Sequence, residues 1–400
     1  MLPQRAERIS GDTDELDYGS SDDMNQPRTV VYFPGWERKK EMELSEWKDR
    51  VDNRDTSLLD PIRSWDLKVL KVLHMIRKKE LTEYNPKSRL CRPTCFCEFN
   101  IALFDLDKES EVKPGLLYSD ISHSEYWKFD YSINVVSIKV TQSDVPYPIK
   151  VYGTVLARDQ NGYRCVYLFK RGRDDPQLIT QTDNTLTLIG PYRALSSRDS
   201  MYFEFHLKIL GDGVLDQDFS KGLIERNACC DNGESRTLSL ESSLSTVTML
   251  YTPIPCSSFP EVNILNGRAN FIGKITASTG ADKNKIILYD SKVAGTELTL
   301  GSGGSVSLTR SVVAVSHNEN LVLKIYVCDG SSKRLKLVFG HSDEGCIRML
   351  GSYELQVKII WTGVFRQKQP ETWMKVKHTL LWSAVFPHFA ALATRSRTTV

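Results

Sequence analysis

The sequence predicts an all-β protein in which two tandem antiparallel β-sandwich-like repeats follow a short helical segment. The first observation is an internal repeat: VYGTVLA at residues 151–157 returns 120 residues later as FIGKITA at 271–277. From about Phe99 onward, apolar and polar residues also alternate with a period of two, as in half-buried strands. Finally, turn signals such as Asn161-Gly162 separate many short segments, which is typical of sandwiches.

The repeat conserves apolar positions while most exposed positions change, so it describes a duplicated hydrophobic core. The segment at 243–252 matches the one at 353–362 at an offset of 110, so the second repeat has lost a net ten residues. The loop at 211–236 would absorb such a loss at little cost. We therefore expect the first sandwich over residues 98–254 and the second over 255–365.

The remaining segments flank this pair of sandwiches. Residues 1–58 are polar and charged and predict a disordered arm. Residues 59–97 predict an amphipathic helix and a Cys-containing linker, because Asp60-Pro61 is a helix-start signal and Asn85-Pro86 is a stop signal. Between these signals apolar residues recur at spacings of three and four, at Ile62, Trp65, Val69, Leu73 and Ile76. Residues 366–400 form an atypical basic and apolar tail.

Composition excludes several function classes. Across 400 residues, 52 Lys and Arg against 50 Asp and Glu leave a net charge of +2, which does not predict a nucleic-acid partner. Nine cysteines, an odd number in a long chain, do not form a disulfide framework. The sequence begins without an apolar leader and contains no apolar window of about 20 residues, so it predicts an intracellular, cytoplasmic protein without a transmembrane segment.

An acidic loop provides one candidate metal site. Asp212, Asp216 and Asp218 offer hard oxygen ligands of the kind that Ca²⁺ prefers. A second acidic loop should complete the shell, and Asp174-Asp175 is the available candidate. The alternative is a solvated surface loop without metal.

A cysteine cluster provides a second candidate. Cys91, Cys95 and Cys97 lie close in sequence, but zinc would need a fourth ligand, for which His74 and His123 are the nearest candidates. We interpret the three residues as reduced thiols in a loop. No Gly-x-Ser-x-Gly elbow is present, and we predict no catalytic residue and no cofactor.

Several blocks in order resemble the plant, mainly grass, family called domain of unknown function 6598, over about residues 98–365. These blocks are YGTV at 152–155, CVYLF at 165–169, LIGP at 188–191, DFSKG at 218–222, LSTV at 244–247 and LYDSKVAG at 288–295. Some relatives in that family resemble fusions to a ribosome-inactivating rRNA glycosidase, so the resemblance implies an association with stress or defence. The Glu-x-x-Arg motif of that enzyme does not occur in this chain.

Together these observations predict a non-catalytic interaction module with an unknown protein partner. Sandwiches present end loops and open strand edges, which hold partners by loop contacts or by strand addition. The alternative is a calcium-dependent lipid-binding sandwich that uses Asp212, Asp216 and Asp218. A third hypothesis is an association with rRNA N-glycosidase activity, through family fusion only. The sequence does not determine the oligomeric state.

Overall fold

The computed structural model describes residues 64–97, 105–111, 115–198, 200–211, 216–226, 233–266, 271–280, 284–292, 305–306, 308–328, 332–351 and 353–365. All of them belong to one compact unit, Leu59–Val400. The predicted arm at 1–58, the tail at 366–400 and residues 98–104, where the alternating pattern begins, lie outside the described residues. No helix in the described ranges is long and apolar enough to cross a membrane.

The helical segment is present as α1, Ser64–Glu80, with Arg77, Lys78 and Lys79 in its last turn. It ends at Glu80, before the stop signal at Asn85-Pro86, because a hairpin of β1, Thr82–Asn85, and β2, Leu90–Pro93, begins at once. The Thr82 hydroxyl donates a hydrogen bond to the Lys78 carbonyl at 2.7 Å and so closes the helix end.

The first repeat is a sandwich of two antiparallel sheets, with strand orders β10-β11-β4 and β6-β5-β8-β9, where β7 also pairs with β5. Its strands are β4 Ser132–Ser143, β5 Ile149–Arg158, β6 Val166–Arg171, β7 Gln177–Ile179, β8 Met201–Ile209, β9 Gln217–Arg226, β10 Arg236–Glu241 and β11 Ser245–Ile254.

The second repeat has the corresponding sheets β19-β20-β12 and β14-β13-β17-β18. The short strands β15 and β16 pair with β12. A further short strand, β3 Leu116–Leu117, pairs with β20. Its strands are β12 Ser257–Asn266, β13 Gly273–Thr279, β14 Ile286–Asp290, β15 Ser305–Val306, β16 Val315–Ser316, β17 Leu321–Cys328, β18 Ser332–Phe339, β19 Gly345–Leu350 and β20 Tyr353–Gly363.

The strand order is therefore the same in both repeats, as a duplication requires. Even a local irregularity recurs at the offset of 120 residues. The register of β5 against β6 shifts between Val155 and Leu156, and that of β13 against β14 shifts between Ile275 and Thr276. The all-β prediction with paired antiparallel sandwiches is confirmed.

Each core lies between the two sheets of its repeat and is filled by alternate residues. In β8, Met201, Phe203, Phe205 and Leu207 are each 0% exposed, and the matching β17 residues Leu321, Leu323, Ile325 and Val327 are at most 1% exposed. Successive strand residues point to opposite faces, so this alternation fixes which face of each sheet is buried.

A buried ion pair holds the N-terminal segment against the first repeat. Arg158 and Glu204 are 1% and 3% exposed, and two N–H groups of the guanidinium meet both carboxylate oxygens at 2.7 and 3.0 Å. Arg158 also donates to the Leu106 carbonyl, and Glu204 accepts from the Phe96 backbone N–H. The Phe96 ring packs edge-on against Tyr202. The described part of residues 81–111, which we call the covering segment, is thus anchored by charge and by ring packing.

The adjacent residue, Asp159, forms a second buried pair with Arg193, at 2.6 and 2.9 Å. The Ser196 backbone N–H also donates to Asp159, and Arg193 donates to the Ser110 hydroxyl of the covering segment. Consecutive residues at the end of β5 therefore carry the two polar anchors of this segment.

We expect Glu204→Ala to lower the free energy of unfolding by about 3–5 kcal/mol, because it leaves Arg158 buried without its counter-charge. Glu109→Ala, which breaks an exposed pair with Lys170, serves as the control and should cost at most about 1 kcal/mol. Denaturant titrations of both variants measure the difference. Equal losses would show that the buried pair does not anchor the segment.

A histidine lies half-buried among aromatic rings in the second repeat. His341 packs against Tyr118 and Trp361, with ring centroids 4.5 and 4.4 Å apart, and its Nε2 lies 2.7 Å from the Ser258 hydroxyl. Burial, aided by the nearby charge of His317, lowers the pKa of His341 from 6.5 to about 4. The ring is therefore neutral in the folded protein at neutral pH.

This lowered pKa predicts a pH dependence of stability. Between pH 6.5 and pH 4 the unfolded chain binds a proton at His341 that the folded chain does not, so the free energy of unfolding should decrease as the pH falls through that window. His341→Gln should flatten this slope, whereas substitution of the exposed His123 should not. An unchanged slope in His341→Gln would contradict the assignment.

Candidate functional site

A cleft of about 860 Å³ lies where the two repeats meet. The first repeat contributes residues of β4 and of the segment at 175–188, and the second contributes β13, β14 and the residues that follow β15. Its charged lining residues are Lys139, Arg171, Lys274, Lys285, Lys292 and Arg310 among the bases and Asp175, Asp183 and Asp290 among the acids. Bases thus outnumber acids two to one.

Two of the three acids are already paired with bases of the lining. Arg171 lies 2.5 Å from Asp175, and Lys274 lies 2.8 Å from Asp290. The remaining charged residues of the lining are four bases, Lys139, Lys285, Lys292 and Arg310, and one acid, Asp183. The cleft is therefore electropositive, and its low-dielectric walls focus that field.

Arg310 is the buried cation of this cleft. Its side chain is 3% exposed, and one terminal N–H group donates to the Val135 carbonyl of β4 at 2.7 Å. Its Nε has no hydrogen-bond partner among the described residues, and none of their carboxylates pairs with it. Burial lowers the pKa of Arg310 to about 10, so the guanidinium remains charged at neutral pH.

Backbone and side-chain hydrogen bonds fix Arg310 in place. The preceding residue, Thr309, donates to the Leu288 carbonyl through both its backbone N–H and its hydroxyl, at 2.9 and 2.8 Å. Farther along, the Asn134 side chain makes two hydrogen bonds of 2.8 Å with the backbone of Ala314 and thereby joins the repeats. Arg310 therefore lies in a part of the cleft wall whose backbone is fixed by hydrogen bonds, as preorganised binding of a ligand requires.

A buried, charged guanidinium without a counter-charge is costly, and an anion from solution would compensate it. Phosphate and carboxylate groups fit the planar fork of arginine and accept hydrogen bonds from two of its N–H groups. The arrangement in the cleft can therefore hold an oxyanion between Arg310 and the lysines at the rim.

The acidic loop is only partly described, since Asp212 lies outside the described residues. Asp216 accepts a hydrogen bond from the Arg173 guanidinium at 2.8 Å, and this contact together with Tyr152 holds its pKa below the usual range. Asp218 lies in β9 and faces Lys221 at 3.3 Å. Calcium binding by these three residues remains a prediction, and the ion would have to compete with Arg173 and Lys221.

The structure separates the three clustered cysteines. Cys91 is exposed on β2, and Cys97 is buried and donates to the Cys95 carbonyl. Cys95 instead meets His206, with its Sγ 3.3 Å from Nε2, and the Glu204 carboxylate lies within 4.8 Å of both ligand atoms. Sequence reasoning missed His206, because 111 residues separate it from Cys95.

This thiol is not an activated nucleophile. Burial, reinforced by the negative charge of Glu204, raises the pKa of Cys95 to about 12. The thiol is therefore protonated at neutral pH and satisfied by its contact with the imidazole. Glu204 in turn is engaged by Arg158.

Sequence reasoning also missed Arg310, although the repeat contains a signal for it. The equivalent position in the first repeat, 120 residues earlier, is Gly190. Arg310 is thus a charged side chain that only the second repeat carries, at a position where the first repeat has no side chain at all. A position that differs so strongly between the repeats does not belong to the hydrophobic core that the two repeats share.

Solved structures resemble this chain only weakly. Human GIVD cytosolic phospholipase A2, in complex with methyl gamma-linolenyl fluorophosphonate, has a TM-score of 0.21 and 7% identity over 60% of this chain, and the match spans 33% of the phospholipase. A calcium-bound pair of domains from extended-synaptotagmin 2 has a TM-score of 0.20 and 9% identity, over 60% of this chain and 98% of that one. Neither likeness carries an argument about function at such TM-scores.

No curated protein matches the chain. A family model does match it, over residues 132–359, which run from the first residue of β4 to within the last strand, β20. This range covers more than half of the sequence and contains both repeats and the cleft between them. The chain therefore belongs to the family described as domain of unknown function DUF6598.

Proposed function

We propose that this chain is a non-catalytic binding module that holds a phosphate or carboxylate group in the cleft between its repeats. One observation carries the proposal: Arg310 is buried and charged, and no carboxylate of the described residues pairs with it. The ligand would accept hydrogen bonds from the guanidinium and from the lysines at the rim, chiefly Lys139, Lys285 and Lys292.

The chemistry of the lining supports binding over catalysis. Apart from the charged groups, the described lining consists of Ser, Thr, Gln, Asn and apolar side chains, and no histidine or cysteine is among them. Hydroxyl and amide groups donate hydrogen bonds to an anion and are not themselves general bases near neutral pH. The protonated Cys95 lies elsewhere, in the covering segment, where it contacts His206 of β8.

An oxyanion of this kind could be a free small molecule or an acidic or phosphorylated side chain of a partner protein. The shared chemistry is the negatively charged oxygen cluster that Arg310 recognises. This proposal agrees with the interaction module predicted from the sequence, whose protein partner and whose association with stress or defence remain predictions.

Phosphate should raise the thermal midpoint of the full chain when sodium phosphate replaces sodium chloride at constant ionic strength. A ligand at about 100 times its dissociation constant stabilises a protein by about 2.7 kcal/mol, which corresponds to a rise of several degrees. We expect Arg310→Met to abolish this rise and the exposed-site control Arg92→Met to retain it. A matched comparison of inorganic phosphate with a phosphoserine peptide separates the two sources of the anion.

The unliganded variant provides a second readout. Because Met removes a buried charge that lacks a partner, Arg310→Met without phosphate should be as stable as the unchanged protein or more stable. A variant that is folded and still gains the full stabilisation from phosphate would exclude the cleft as the binding site.

The rival hypothesis of calcium-dependent lipid binding is tested on the same protein. A thermal midpoint that rises in millimolar calcium relative to chelator, and no longer rises in Asp216→Asn with Asp218→Asn, would support the acidic loop as a calcium site. If calcium has no effect, Asp216 and Asp218 remain partners of Arg173 and Lys221.

A further inference from the structure

The duplication allows the same sheet face to be compared in the two repeats. In the first repeat, the outer face of β6-β5-β8-β9 is covered by the chain's own covering segment. The Phe96 backbone N–H donates to Glu204, the His206 ring contacts the Thr94 carbonyl at 3.1 Å, and Lys221 pairs with Glu83. This face therefore already has a polypeptide as its occupant.

The equivalent face of the second repeat carries a different set of residues. At an offset of 120 residues, Lys324 replaces the acid Glu204 and Tyr326 replaces His206. The strand registers place Lys324 opposite Lys336 and Tyr326 opposite both Arg334 and Lys274. We call these five residues the basic face. Arg334 and Lys336 are exposed, and the other three are half-buried.

The basic face is unfavourable in isolation. Lys324 and Lys336 lie directly opposite each other on neighbouring antiparallel strands, and like charges in that position repel. The Arg334 guanidinium lies 5.5 Å from the centre of the Tyr326 ring, and the acid on this side among the described groove residues, Asp290, is already paired with Lys274. An acidic occupant would relieve this repulsion.

The shape of the basic face suits an inserted chain segment. A groove of about 610 Å³ runs over Lys274, Tyr326 and Arg334, with Lys285 and Lys292 at its rim. Two exposed apolar side chains, Ile287 on β14 and Val338 on β18, flank the basic residues, and Ile287 also lines the groove. Alternating contacts to a cationic floor and to apolar flanks are what an extended peptide with acidic and apolar residues can satisfy.

We propose that the basic face docks an acidic segment of a protein partner, in the place where the first repeat holds its own covering segment. Two observations favour a polypeptide over a lipid surface: the equivalent face of the same chain is occupied by polypeptide, and the face is grooved. This inference goes beyond the anion cleft, because Tyr326 and Arg334 line the groove and not the cleft, whereas Arg310 lines the cleft and not the groove. Lys274, Lys285 and Lys292 line both, and Lys324 and Lys336 lie on the same face beyond the groove lining.

The test measures the anisotropy of a fluorescein-labelled peptide of about twelve residues, in which Glu and Asp alternate with Val and Thr, on titration with the full chain. We expect Lys324→Glu with Lys336→Glu to raise the dissociation constant about tenfold or more, since two cations are replaced by repulsive charges. The doubly substituted chain should fold, because Lys324→Glu introduces the residue type that the first repeat carries at the equivalent position, and its thermal midpoint verifies this.

The control is Lys150→Glu with Lys358→Glu, which makes the same charge change at exposed positions on β5 and β20. It should change the dissociation constant less than about twofold, and Arg310→Met should also leave peptide binding unchanged. Equal weakening in the control would show non-specific charge attraction and overturn the proposal. The proposal would also be overturned if the chain bound phosphatidylserine vesicles but not the peptide, and if Lys324→Glu with Lys336→Glu abolished the vesicle binding.

Discussion

A charge that is buried away from water needs a counter-charge, and this requirement organises the structure. Arg158 meets it with Glu204, and Arg193 meets it with Asp159. Glu204 also accepts a hydrogen bond from the covering segment, and Arg193 donates one to it. The two pairs therefore join the N-terminal part of the described chain to the first sandwich. Arg310 has no such counter-charge within the described residues, and the proposed anion site rests on this exception.

The duplication explains how one chain supports these different solutions. Both repeats use the same strand order, and their cores are filled by alternate apolar residues at matching positions. The outer faces are free of that constraint and have diverged. The first repeat carries Glu204 and a polypeptide cover, whereas the second carries Lys324 and, among the described residues, a groove over Tyr326 and Arg334. Both proposed sites therefore lie on surfaces where the repeats differ.

The two proposed sites share a physical basis but differ in selectivity. In the cleft, a single buried guanidinium with fixed surroundings selects an oxyanion by geometry, since Thr309 and Asn134 brace its wall. On the basic face, several half-buried or exposed cations attract negative charge over a larger area. This attraction speeds the association of an acidic partner more than it fixes the orientation of the bound partner. A partner that carried both an oxyanion and an acidic segment could engage both surfaces of the second repeat.

The sequence by itself determined the sandwich class, the short helix and the duplication, because alternation along β8 and β17 and the offset of 120 residues are local or periodic signals. The sequence also contains a helix-stop signal at Asn85-Pro86, whereas the hairpin that begins at Thr82 ends α1 already at Glu80. Only the tertiary structure brought Arg310 to Val135, Cys95 to His206 and Asp216 to Arg173. These contacts join residues far apart in sequence, through strand pairing and the packing of the two repeats, and neither leaves a periodic pattern in the amino-acid sequence.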